Sequence, residues 1–172
     1  AGKLIIKEYA PGTAHAGHFK HLLNELKLKR KFVPDIVFVD YINICASQKY
    51  KSNNGVGSYQ YLKAVSEELR GIGVEFDLPV VSATQTNREG YDSSDLGMTD
   101  VSESFGMSHT ADLILALMTS KEMEKMNQIK VKQIKNRYND VNYHNVFVIG
   151  IDRPKMRLFD CESYASKDLV EN

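Results

Sequence analysis

A carboxylate at the end of a buried strand is a place to hold a hydrated cation, and Asp40 closes the run Pro34-Asp35-Ile36-Val37-Phe38-Val39 just before the polar positions around Asn43. In open α/β sheets ligands bind beyond the carboxyl ends of the strands, so Asp40 stands where a nucleotide and its metal would be held. A helix N-cap or turn aspartate is the competing reading of the same spacing. Leu78-Pro79-Val80-Val81-Ser82-Ala83-Thr84 repeats the pattern and delivers Gln85-Thr86-Asn87-Arg88 at its tip. Two cations, Lys135 and Arg137, end the alternating stretch that begins at Ile129. Residues two apart on a strand point the same way, so both could approach one phosphate group. A solvated strand end is the alternative there.

The elements that position these residues follow from periodicity. Val37-Phe38-Val39 has no polar alternation and predicts a strand covered on both faces, as in parallel sheets flanked by helices. Between it and the Val80-Val81 strand, Leu62, Val65, Leu69, Ile72 and Phe76 recur at helical spacing. Strand, helix, strand is the right-handed parallel crossover. Glu67 and Glu68 fall on the expected solvent side of that helix. Phe19, Leu22, Leu23 and Leu26 predict an earlier helix, with Lys29-Arg30-Lys31 at its negative end. His15, His18 and His21 rise along it three apart; a zinc site is conceivable, but no fourth ligand is evident and a polar helix face is the simpler reading. Lys3-Leu4-Ile5-Ile6-Lys7 predicts a short strand, Leu113 to Met118 a third buried strand with Asp112 at its amino end, and Asn145 to Phe159 a closing hairpin around Arg153-Pro154.

Taken in order, Asp40-Tyr41 after its apolar strand, Pro79-Val80-Val81 leading to Gln85-Thr86-Asn87-Arg88, Asp100 with Ser102-Glu103-Ser104, Ala111-Asp112-Leu113-Ile114, and Lys135-Asn136-Arg137 resemble the RecA-like motor domain of the DnaB family of replicative DNA helicases. The resemblance runs across nearly the whole chain. It implies an α/β fold, a RecA-like P-loop NTPase sheet flanked by helices. No Gly-x-x-x-x-Gly-Lys-Ser/Thr loop occurs in these residues. The fold is therefore expected to be truncated on its N-terminal side, without the Walker A element, and the chain alone to be inactive. Residues 1–160 are expected to form the partial ATPase domain and 161–172 a polar tail.

The family pattern also implies roles. Asp40 would hold Mg2+ through water and Gln85 would sense the γ-phosphate of ATP, while Lys135 and Arg137 would reach a neighbouring subunit's nucleotide. The loop from Ser47 to Gly57, too polar to pack a core, faces the central channel in such rings; Lys49 and Lys51 would meet phosphates and Tyr50 a base. Its other reading is a disordered connector. Ser102, Glu103 and Phe105 match the stretch that contacts the DNA backbone, although Ser102 and Phe105 depart from the bacterial pattern of arginine and glycine. The family further implies a homo-hexamer on single-stranded DNA at a replication fork, a primase, a helicase loader and a single-strand DNA-binding protein.

Composition agrees without leading there. The chain has 172 residues, 42% of them hydrophobic, enough to bury a core. Its 22 basic and 22 acidic residues cancel, so DNA contact would come from a few placed groups rather than a global field. Cys45 and Cys161 make no metal spacing and suit a reduced interior. With neither a signal peptide nor an apolar stretch of membrane length, the expected location is the cytoplasm, away from membranes. A RecA-like recombinase would share the Asp40 and Gln85 strands but form filaments. A non-catalytic DNA-binding or assembly module is the third possibility, and it requires Asp40→Asn to leave function intact.

Overall fold

The computed structural model describes residues 2–51, 55–85 and 109–161. They fall into two compact units, one holding the residues up to 85 together with 109–110, the other holding 111–161.

In the first unit, α1 (Ala16–Arg30) precedes β1 (Val37–Val39), a 3-10 turn spans Ile42–Ile44, and α2 (Ser58–Phe76) leads to β2 (Val80–Ser82). β1 and β2 pair in parallel with Val37 opposite Val80 and Val39 opposite Ser82, as the crossover pattern predicts. The core is where the two helical stripes meet the inner face of these strands. Leu23 of α1 joins Val65, Leu69 and Ile72 of α2, with Ile42 and Cys45 between strand and turn, and Val37, Val39 and Val80 pack against them. Ile72 and Val65 are fully buried. Desolvating side chains of that size contributes about 1.5–3 kcal/mol each. Both helices end on a left-handed residue, Lys31 and Asp77.

Two expectations are corrected here. β1 is covered on one face only among the described residues: Phe38 is 67% exposed and its register partner Val81 is also exposed. An unbroken apolar run signals two apolar faces, and no described element of this unit lies over the second. The predicted strand at Lys3 to Lys7 is extended chain without a ladder, with Leu4 and Ile6 exposed, because no described sheet edge pairs with it.

The second unit is an antiparallel meander in sequence order: β3 (Leu113–Met118), β4 (Gln128–Asn136), β5 (Val146–Asp152) and β6 (Arg157–Asp160), with the short helix α3 (Lys121–Lys125) between the first two. Ser120 caps α3 by accepting the Met123 amide at 3.2 Å. β3 is not buried on both sides as predicted. Ala116 and Met118 are buried while Leu113, Leu115 and Leu117 are exposed, the alternation of a strand packed on one face. Leu115 pairs with Gln133 but Ile114 pairs with Lys135, so Ile134 is an extra residue, a β-bulge in β4. The β4–β5 connection is a chain of side-chain-stabilised turns. Asn136 Oδ1 accepts the Tyr138 amide at 2.9 Å and Asp140 Oδ1 the Asn142 amide at 2.9 Å. β5 and β6 form the predicted hairpin, turning through residues 153–156.

Candidate nucleotide and nucleic-acid site

Parallel pairing puts the tips of β1 and β2 at one carboxyl edge, so Asp40 and Gln85, predicted from separate strands, lie at the same edge of the sheet. The edge is stitched by three bonds. Ser82 Oγ donates to the Val39 carbonyl at 2.7 Å, the Ile42 amide donates to the Ala83 carbonyl at 3.2 Å, and Thr84 Oγ1 donates to Asn43 Oδ1 at 2.9 Å. Asp40 and Gln85 are both exposed, and the Asp40–Tyr41 peptide is cis. Asp40 offers one accessible carboxylate, and the described residues contain no group of three or more His, Cys, Asp or Glu placed to hold a metal. A lone carboxylate fits Mg2+, which keeps most of its water, and does not fit an ion needing a full protein cage.

The loop after the 3-10 turn departs from the connector reading. Among the residues described, Ser47 to Tyr50 turn four successive amides onto fixed acceptors. Ser47 N–H donates to the Tyr61 hydroxyl at 3.0 Å, Gln48 N–H to both Glu68 carboxylate oxygens at 3.0 Å, Lys49 N–H to Glu68 Oε1 at 3.2 Å and Ser47 Oγ at 3.1 Å, and Tyr50 N–H to Ser47 Oγ at 3.2 Å. Ser47 Oγ itself donates to Glu68 Oε1 at 2.7 Å. Lys49 and Lys51 are exposed, and the Lys49 ammonium lies 5.3 Å from the centre of the Tyr50 ring. The expectation that Glu68 faces solvent is corrected: it is half-buried and fully engaged. Tyr61 and Glu68 are seven apart on α2, two turns along one face, and that spacing is the signal that they could serve one loop together.

Next to this loop stands the start of α1. His15 Nδ1 accepts the Gly17 amide at 3.0 Å and His18 Nδ1 accepts the His15 amide at 3.3 Å, a reciprocal N-terminal cap made of imidazoles. Burial lowers the His15 pKa, the neighbouring His18 adds to that, and Glu68 opposes it. A side chain at Gly17 would place its Cβ 2.8 Å from Gln48 Nε2 and from the His15 ring. Of the three histidines predicted as a polar face or a candidate metal site, His15 and His18 thus work at this position as capping acceptors.

In the second unit, Lys135 pairs across the ladder with Ile114, and Arg137 follows the last residue of β4. Arg137 Nη1 donates to Asp112 Oδ1 at 2.9 Å. Ser102, Glu103 and Phe105 lie outside the described residues.

Known proteins are similar to this chain in sequence and in fold. Residues 14–150 match the family described as DnaB-like helicase C terminal domain. A DnaB-like replicative helicase of Enterobacteria phage T4 is 42% identical over 94% of this chain, which spans 34% of that protein. A replicative DNA helicase DnaB of Mycoplasma pneumoniae is 23% identical over 71% of this chain and 24% of its own length. Among solved structures, a DnaB-like replicative helicase, solved in a study of its interactions with primase, superposes with a TM-score of 0.71 at 19% identity, covering 87% of this chain and 35% of that one. A separately solved ATPase domain gives the same TM-score at 21% identity, covering 87% of this chain and 52% of that one. The fold is the mixed α/β fold of DnaB-like ATPase domains.

Proposed function

Since the chain belongs to the family of DnaB-like helicase C-terminal domains, we propose that it is part of the motor of a ring-forming replicative helicase that couples ATP hydrolysis to movement along single-stranded DNA and duplex unwinding. The chain covers about a third of the phage relative, so this activity is assigned to the full-length protein. One observation carries the reading: Asp40 and Gln85 share the carboxyl edge of a parallel strand pair, where nucleotides bind in such sheets.

Asp40 would hold Mg2+ through water, and Gln85, at the tip of the neighbouring strand, would register the terminal phosphate and pass its loss to the loops that follow. When bound, the Mg2+–ATP complex supplies the phosphoryl group and the charge neutralisation for its transfer. Lys135 and Arg137 act on the nucleotide of an adjoining subunit in a homo-hexamer. Lys49 and Lys51, with Ser102, Glu103 and Phe105, form the DNA surface. A primase, a loader and a single-strand DNA-binding protein are the partners this reading implies, in the cytoplasm of the cell that replicates the DNA.

The test is Asp40→Asn in the full-length protein, which removes the carboxylate and keeps the size. DNA-stimulated phosphate release and strand displacement should both fall to background. Wild-type rates in both assays would overturn the reading.

A further inference from the structure

We propose that Glu68 is a positioning residue for the DNA-facing loop: its carboxylate, carried on α2, clamps the Ser47 hydroxyl and the Gln48 and Lys49 amides and so fixes the presentation of Lys49, Tyr50 and Lys51. This rests on the reading of that loop as a DNA surface. Glu68 accepts from the Ser47 hydroxyl, the Gln48 amide and the Lys49 amide at 2.7–3.2 Å. Bonds from donors to an ionised acceptor are roughly twice as strong as neutral ones. Successive amides turned inward on one carboxylate make an anion nest. Such a nest could itself take a phosphate, but here Glu68 fills it and would repel one. Phosphate binding is therefore left to side chains, and the Lys49 ammonium sits over the Tyr50 ring at 5.3 Å.

Loops with lysines ordinarily lose affinity to the entropy of fixing them on the ligand. A loop whose leading amides are already satisfied, chiefly from α2, has met part of that cost before DNA arrives. On this reading Glu68 acts through the loop it holds and not on nucleotide or DNA directly, so removing it should weaken DNA capture without altering turnover once DNA is saturating.

The experiment uses the full-length protein and a fluorescent oligo-dT. Glu68→Ala should raise the Kd about tenfold and raise the DNA concentration that half-saturates ATPase, with kcat at saturating DNA and unstimulated ATPase unchanged. Amide exchange at Gln48, Lys49 and Tyr50 should accelerate. Glu68→Gln should recover only part of the affinity, because its amide oxygen can still accept where Oε1 does from Ser47, Gln48 and Lys49 while the charge and the second acceptor facing the Gln48 amide are lost. A purely structural role would instead lower Tm and leave the Kd of the folded fraction unchanged. Lys49→Ala with Lys51→Ala is the control, expected to reduce the salt slope of binding by about 0.7 for each phosphate no longer neutralised. If that pair weakens binding and Glu68→Ala does not, the positioning inference fails alone. If the pair changes nothing, the loop is not the DNA surface and both readings fall. Should Glu68→Ala not fold, Ser47→Ala, which deletes only the hydroxyl, should raise the Kd in the same direction, and wild-type affinity there overturns the inference.

Discussion

Arg137 and Asp112 are joined twice: the Arg137 amide donates to the Asp112 carbonyl at 2.9 Å, and its guanidinium donates to the Asp112 carboxylate at 2.9 Å. The first bond extends the β3–β4 ladder by one step; the second aims the guanidinium. With side chains 48% and 30% exposed, the ion pair contributes at most about 1 kcal/mol. It can orient the cation and yet be given up when a stronger anion arrives.

Arg137→Ala in the full-length protein should reduce DNA-stimulated ATPase by about a thousandfold or more, the usual worth of an arginine finger, while sparing nucleotide binding. Mixing it with Asp40→Asn subunits should restore activity above either alone, since some interfaces then combine an intact finger with an intact pocket. Full ATPase in Arg137→Ala rings would show that the finger is elsewhere.

The imidazole cap on α1 makes stability depend on pH. His15 has a folded pKa below its ordinary value, chiefly from burial, so the folded state prefers it neutral. Its contribution is present above the unfolded value of about 6.5 and is lost as pH falls through the depressed folded value. His18 and Glu68 are the titratable neighbours whose influence on His15 has to be accounted for. Thermal unfolding should show a lower Tm at pH 5 than at pH 8, and His15→Asn, a cap that needs no neutral ring, should flatten that difference. An unchanged pH dependence in His15→Asn would assign the effect to other groups.

Gly150 in β5 lies under the Phe159 ring: a Cβ there would sit 2.3 Å from it. Gly150→Ala should therefore destabilise the meander by about 1–3 kcal/mol through overpacking. Adding Phe159→Ala should recover part of the loss, a coupling that a double-mutant cycle of denaturation measurements reads directly. Strict additivity would mean the ring moves aside freely.

Ile72, with no exposed surface, is the centre of the first unit's core. Ile72→Ala should cost about 2–5 kcal/mol by urea denaturation. A loss below the lower end would mean that α2 settles into the space.

The parallel strand pair, the α2 stripe and the tips at Asp40 and Gln85 are legible in the sequence because apolar runs of β-branched residues end abruptly in polar ones. The one-sided cover of β1 is not, since Phe38 has the same character as Val37 and Val39 and its exposure depends on what lies opposite. Glu68 is hidden for a different reason. A charged residue on a helix is read as solvated unless its partners are seen, and those partners are backbone amides, which have no signature in side-chain types. The same holds for His15 and His18, whose acceptor nitrogens matter here more than their metal affinity.

The bulge at Ile134 acts as a phase shifter. Up to Gln133, register pairs Lys130 with Met118 and Lys132 with Ala116; beyond the extra residue Lys135 pairs with Ile114, on the same side of β3 as those two. Were the same residues paired without the bulge, alternation would carry Lys135 to the opposite face, and Arg137, two residues on, with it. The bulge, and not the number of residues alone, thus decides which face the two cations take. Deleting Ile134 should therefore remove the bulge and leave Lys135 opposite Ile114, whereas closing the bulge with every residue retained would turn both cations to the other face.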